Sequence, residues 1–292
     1  MINLYGTGVA MVTPFNSDGS VDYPALKKLT RHLIDNKVEY LVVMGTTGES
    51  ATLSKEEKRQ IFDTVLEENG GAVPVIAGMG GNNTNELTQS LQDFNFDGIS
   101  AVLSVSPYYN KPNQMGIRAH YTAVADASPL PVILYNVPGR TGSNMTAETT
   151  LSLAEHQNIV AMKEASGNFE QCMEILRHRP KDFFVLSGDD ALTLAFLSLG
   201  MDGVISVIAN AYPRNFSELV RMGIGGNFKA ARELHYPLLG MMNEIFADGS
   251  PGGIKEILNH LGICGTHVRL PLANVNAKVQ ANLLAMAKEY GK

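Results

Sequence analysis

Short apolar runs rich in valine and isoleucine recur along this chain at residues 8–13, 40–44, 73–77, 99–105, 132–135, 159–162, 183–186 and 203–207. Each is of strand length, and each is apolar on both faces instead of alternating with polar residues. Such a strand is stable only in a sheet covered on both sides, the usual situation of parallel strands joined by helical crossovers. Helical patterns fill the intervals. Asp22 is placed to cap a helix carrying Leu26, Leu29, Leu33 and Ile34. Ser54-Lys55-Glu56-Glu57 reads as a capping box ahead of Ile61, Val65 and Leu66. Helical periodicity also runs over 113–126, 146–155, 169–179 and 191–199, and Pro74 and Pro131 stand just before strands, where a helix must stop.

About eight strand–helix units in alternation over roughly 210 residues predict an α/β fold, a (β/α)8 TIM barrel. The alternative is a doubly wound open sheet, which usually carries a glycine-rich dinucleotide turn after its first strand; here that strand runs into Thr13-Pro14-Phe15. After Val207 only helical patterns follow, over 213–222, 228–246, 253–261 and 274–289. The expected organisation is a barrel over residues 1–225 and a C-terminal helical extension over 226–292.

Composition narrows the partners. Hydrophobic residues make up 45% of the chain, enough for a sizeable core and too many for disorder. The balance of 23 basic and 29 acidic residues leaves −6, with no basic run, which argues against nucleic acid and anionic membrane. Cys172 and Cys264 form no CxxC, and the histidines show no metal-site spacing, so neither a disulfide framework nor a zinc site is expected. The N-terminal residues lack a signal-peptide pattern and no apolar run reaches membrane-spanning length, so a cytoplasmic protein is expected.

In a barrel the chemistry belongs at the C-terminal ends of the strands. Lys163 ends the run Ile159-Val160-Ala161-Met162. A lysine finishing a buried strand is costly unless paired or neutral, and a neutral amine is a nucleophile. A snorkelling lysine, or one paired with Glu164, is the competing reading. Tyr135 ends the preceding run, where adjacent strands bring its phenol near Lys163; a satisfied core tyrosine is the alternative. Gly45-Thr46-Thr47-Gly48-Glu49-Ser50 follows the second strand and offers backbone N–H groups and hydroxyls to a carboxylate, or is an ordinary turn. Ser106-Pro107-Tyr108-Tyr109-Asn110-Lys111-Pro112 follows the fourth strand. Arg140, in Asn136-Val137-Pro138-Gly139-Arg140-Thr141-Gly142, either clamps a carboxylate or is a solvated surface residue. In Gly188-Asp189-Asp190, paired acids suggest a metal, but Asp190 reads better as the cap of the next helix.

Taken in order, Gly45-Thr46-Thr47-Gly48-Glu49, Tyr108-Tyr109-Asn110-Lys111-Pro112, Tyr135 to Gly142, Lys163-Glu164-Ala165-Ser166-Gly167 and Leu186-Ser187-Gly188-Asp189-Asp190 resemble the signatures of the dihydrodipicolinate synthase family, pyruvate-dependent aldolases of class I type. The resemblance runs from about residue 6 to residue 290. It implies a barrel with a helical C-terminal region assembled as a homotetramer, a dimer of dimers. It implies condensation of pyruvate with L-aspartate 4-semialdehyde through a lysine Schiff base, on the route to diaminopimelate and lysine, without metal or organic cofactor. On this resemblance Lys163 matches the Schiff-base lysine, and Tyr135, Thr46 and Tyr109 match a proton relay, Tyr109 being supplied across a dimer interface. Thr47 matches a holder of the pyruvate carboxylate, Arg140 the receiver of the semialdehyde carboxylate, and Gly188 and Ile205 positions lining the pyruvate pocket. Ser50, Ala51, Asn82, Glu86 and Tyr108 match an allosteric lysine site.

Two departures are visible. Ser250 and Gly253 replace an asparagine and a proline common in many members. Lys55 and Lys58 stand where some lysine-sensitive members carry histidine, and two cations there should repel lysine. Other pyruvate-dependent aldolases, such as N-acetylneuraminate lyase, share the lysine and Tyr135; the Thr46-Thr47 pair and Arg140 favour the synthase. A ligand-binding homologue without turnover is the rival from outside enzymology.

Overall fold

A computed structural model of the chain describes residues 2–291. The strands are β1 (Gly6–Ala10), β2 (Tyr40–Val43), β3 (Val75–Gly78), β4 (Ala101–Val105), β5 (Val132–Asn136), β6 (Ile159–Glu164), β7 (Phe184–Ser187) and β8 (Gly203–Ser206). Each pairs in parallel with its neighbours in chain order, and β8 returns to β1, closing the barrel. The helices are α1 (Tyr23–Asp35), α2 (Lys55–Asn69), α3 (Thr84–Asp93), α4 (Gln114–Ala127), the single turn α5 (Pro138–Thr141), α6 (Ala147–Ala154), α7 (Phe169–His178), α8 (Thr193–Ser198), α9 (Pro213–Ile224), α10 (Phe228–Glu244), α11 (Gly252–His260) and α12 (Ala277–Tyr290).

The predicted caps are present. The Asp22 carboxylate accepts from the Ala25 N–H, and Ser54 and Glu57 form the reciprocal capping box of α2. Helix α3 had no counterpart in the sequence pattern. Its segment, Thr-Asn-Glu-Leu-Thr-Gln-Ser-Leu-Gln-Asp, buries only Leu87 and Leu91, too thin a stripe to announce itself.

Strand alternation divides the core into two layers. Ala10, Val42, Ile76, Leu103, Ile133, Tyr135, Ala161, Leu186 and Ile205 share a cluster inside the barrel. Val9, Leu41, Val43 and Val75 pack outward among the helices, as do Val102, Leu134, Met162 and Val185. Each fully buried aliphatic side chain contributes on the order of 2 kcal/mol, so the interior fixes the register of every strand. Tyr40, fully buried, fills the interior beside Gly8. A Cβ on Gly8 would lie 1.9 Å from the Tyr40 ring, so the ring occupies the space that the glycine leaves.

Beyond the Gly225–Gly226 turn, α10 packs on α9, and α12 packs on both α10 and α11. Leu238, Met241, Ile254, Ile257 and Leu283 join the same apolar cluster as Leu26, Phe216 and Val220 of α1 and α9. Among the described residues no helix is long and apolar enough to cross a membrane.

Candidate active site

Lys163 is the penultimate residue of β6, directly beside Tyr135 of β5 and Leu186 of β7 in the parallel register. The alternation that sends Ala161 inward and Met162 outward sends Lys163 inward. Its side chain is 5% exposed, and Nζ lies 4.3 Å from the centroid of the Tyr135 ring. A lysine this enclosed, facing an aromatic ring, is not a snorkelling surface residue.

The competing idea, a Lys163–Glu164 pair, does not hold. Glu164 points to the opposite side of the strand and is fully buried. Its carboxylate accepts from the Asn136 side-chain amide, from Gln171 Nε2 at 2.9 Å and from the Ser166 N–H at 2.6 Å. Asn136 Oδ1 in turn accepts from the Met145 N–H. This network, which sequence reasoning missed, welds the end of β5 to the end of β6 and to α7. Among the described residues Lys163 has no carboxylate within salt-bridge distance. The Lys163 amine, near the C-terminal end of this strand, therefore lies inside the barrel without a counter-ion among the described residues.

Gly188 follows β7 beside the lysine. A Cβ there would lie 3.0 Å from Lys163 Cε and 2.7 Å from the Ala165 Cβ. The missing side chain is the room in which the lysine stem lies. Ile205 is fully buried on β8 in the interior cluster that also holds Tyr135.

The turn after β2 is built from unusual backbone. Met44 has φ +65° and Glu49 φ +52°, and between them Thr46–Gly48 forms a 3-10 turn. The Gly48 N–H donates to Gly45 O, and the Glu49 N–H to Thr46 O. Thr47 is buried and Thr46 exposed at the rim, while Thr13 Oγ1 donates to Gly48 O at 2.7 Å. The backbone thus folds Thr46 and Thr47 into a compact loop next to the barrel mouth.

The remaining sequence-predicted residues are not all brought together. Tyr109 is 88% exposed with φ +72°, and among the described residues no hydrogen bond joins the Tyr135 hydroxyl to Tyr109 or Thr46. Arg140 is exposed on α5 with no acidic partner among the described residues. Asn82 and Tyr108 do meet: Asn82 Nδ2 donates to Tyr108 O at 3.1 Å, and Asn110 Nδ2 donates to Asn82 O. Ser50 and Ala51 lie in the 3-10 turn that follows Glu49, and Glu86 is exposed in the first turn of α3.

One expectation is corrected. Asp190 does not cap α8. Asp189 accepts from the Leu192 N–H, whereas Asp190, buried, reaches across to accept from the Val207 and Ile208 N–H groups beyond β8. Desolvation raises the Asp190 carboxyl above the usual carboxylate range, opposed by those backbone donors. Among the described residues no three His, Cys, Asp or Glu side chains gather as a metal site.

Comparison with known proteins accords with this geometry. The sequence profile of the Dihydrodipicolinate synthetase family matches residues 3–290. The 4-hydroxy-tetrahydrodipicolinate synthase of Flavobacterium psychrophilum is 50% identical over 288 residues, 98% of each chain. The dihydrodipicolinate synthase of Acinetobacter baumannii, solved in complex with pyruvate, superposes with a TM-score of 0.96 at 37% identity over 99% of each chain. That of Cyanidioschyzon merolae, solved with lysine bound, gives 0.94 at 42% identity over 98% of each chain.

Proposed function

The chain belongs to the dihydrodipicolinate synthetase family and carries that family's 4-hydroxy-tetrahydrodipicolinate synthase activity, and we propose that the amine of Lys163 is its nucleophile. The substrates in this reading are pyruvate and L-aspartate 4-semialdehyde. The observation that carries it is the enclosed Lys163 Nζ, 4.3 Å from the Tyr135 ring at the strands' C-terminal ends, with no carboxylate partner among the described residues.

The uncharged amine adds to the pyruvate ketone, and loss of water leaves an iminium. The iminium withdraws electrons, so the methyl group releases a proton and an enamine forms. The enamine carbon then attacks the aldehyde of the second substrate. Tyr135 relays protons during imine formation, with Thr46 and Tyr109 orienting its hydroxyl. Thr47 and the backbone of its turn hold the pyruvate carboxylate, and Gly188 and Ile205 bound the pocket. Because the lysine itself supplies the electron sink, the chemistry asks for no metal or organic cofactor. A coupled assay supplying pyruvate and aspartate semialdehyde tests this directly. Turnover is expected there, and cleavage of N-acetylneuraminate in its place would overturn the substrate assignment.

Arg140 receives the second carboxylate in this scheme. Its exposure and lack of an acidic partner leave it available to a ligand. Arg140→Ala is expected to raise the KM for aspartate semialdehyde by about tenfold or more, the loss of a charge-assisted bidentate contact. Borohydride trapping of pyruvate on Lys163 should be unchanged, and an equal loss of trapping would place Arg140 elsewhere in the mechanism.

The exposed Tyr109, together with Leu270 at 84% exposure, supports a covered interface, and we take the assembly to be a cytoplasmic homotetramer in which Tyr109 serves a neighbouring subunit. Residues 1–225 then carry the chemistry and 226–292 brace it. Ser50, Ala51, Asn82, Glu86 and Tyr108 form the regulatory site of this reading. Lys58 is half-buried near Lys55; desolvation lowers its pKa, and the neighbouring lysine's charge lowers it further. A lysine ligand entering there meets two cations. Steady-state rates are expected to stay above half at submillimolar lysine, and half-inhibition in that range would refute this.

A further inference from the structure

Glu49, three residues past Thr46, ends its turn with a side chain that is fully buried, and so is its partner Lys255 on α11. Lys255 Nζ lies 2.6 Å from Glu49 Oε1, donates to His267 O at 2.7 Å and sits 4.5 Å from the Phe15 ring centroid. The second oxygen, Glu49 Oε2, accepts from the Arg269 N–H at 2.9 Å. Arg269 is itself locked. Its guanidinium packs on the same Phe15 ring and donates to Gly19 O, Thr52 O and Glu57. Every polar atom of this buried pair therefore has a fixed partner.

A buried ion pair is a poor source of stability, because desolvating both charges roughly cancels their attraction. Its physical effect is on geometry. Glu49 is held at φ +52°, and its N–H closes the turn on Thr46 O, so the Glu49 carboxylate cannot move without carrying Thr46 and Thr47. On the other flank, Thr13 grips Gly48 O. The ammonium anchor comes from a helix 206 positions away in sequence.

We propose that Lys255, acting through Glu49, is a positioning residue that sets the Thr46–Thr47 turn for the carboxylate of the keto acid, tying substrate affinity to the C-terminal helical region. This rests on the reading of that turn as the carboxylate cradle. Lys255 touches no substrate in this scheme. It is fully enclosed and its ammonium is already engaged, so it is not a second nucleophile.

The test uses the full-length protein. Lys255→Met strands the Glu49 carboxylate without its ammonium partner and should lower thermal stability severely. The double variant Lys255→Met/Glu49→Gln removes both charges while keeping an acceptor for the Arg269 N–H. It is expected to recover most of the parent's melting temperature, yet to show a pyruvate KM raised about tenfold, the scale of a sub-ångström misplacement, with kcat at saturating pyruvate within about twofold. A purely structural pair would leave that KM at the parent value once the fold is restored, and such a result overturns the proposal. A double variant that fails to fold overturns it as well, since the pair would then be serving the fold. If the parent itself cannot be trapped on Lys163 by borohydride with pyruvate, the functional reading fails first, whatever the variants do.

Discussion

Replacing Lys163 with alanine is expected to lower kcat by at least roughly four orders of magnitude with the fold intact, the scale reached when a covalent nucleophile is deleted. The reason is specific to this barrel. The proposed route depends on an amine that can become an iminium, and Lys163 stands inside the mouth, 5% exposed and beside Tyr135, as its proposed source. Among the described residues the other buried lysine, Lys255, is committed to Glu49 and His267. Lys163→Arg should be equally inactive, because a guanidinium stays protonated and cannot form the imine. Borohydride reduction of the parent in the presence of pyruvate, followed by peptide mass mapping, should find a reduced pyruvyl group on Lys163 alone. Circular dichroism and thermal melts verify that both variants remain folded. Should the alanine variant turn over within tenfold of the parent, covalent catalysis at this position is refuted.

Gly188→Ala is expected to cost about a hundredfold in kcat/KM, the consequence of displacing a catalytic group by about 1 Å. The added methyl would stand 2.7 Å from the Ala165 Cβ and 3.0 and 3.2 Å from Lys163 Cε and Cγ. The tightest contact, with the Ala165 Cβ, is relieved only by a shift of the β6 and β7 ends, and with the crowding of the lysine stem this swings the amine out of line with the ketone. Gly188 is absent from the positive-φ glycines, so the effect is steric crowding, with no backbone penalty. Overpacking of this kind typically costs about 1–3 kcal/mol of stability, a loss that a domain of this size should survive. The check is the rate of Schiff-base trapping under single-turnover conditions, read beside the melting temperature. An alanine variant that traps pyruvate at the parent's rate would show that the pocket has slack the geometry denies.

The barrel was legible because its strands are apolar on both faces, a pattern that survives without knowledge of what covers them. The caps of α1 and α2 were legible for the same local reason: Asp22, Ser54 and Glu57 act within three residues of themselves. Helix α3 was not, since only Leu87 and Leu91 mark it as amphipathic. Asp190 illustrates a different failure. Its sequence neighbourhood offers a helix to cap, and nothing local reveals that the Val207 and Ile208 N–H groups lie closer in space.

The chain order of runs and turns, read alone, was enough to place a lysine, a tyrosine and a hydroxyl-bearing turn at strand ends, because strand length and hydrophobic period are properties of neighbouring residues. Whether Lys163 is paired or free, which side of β6 Glu164 takes, and that Lys255 holds the turn after β2 were decided only by the closed barrel. Those facts depend on contacts between distant segments, whose energies come from burial and charge in a shared interior and leave no local trace.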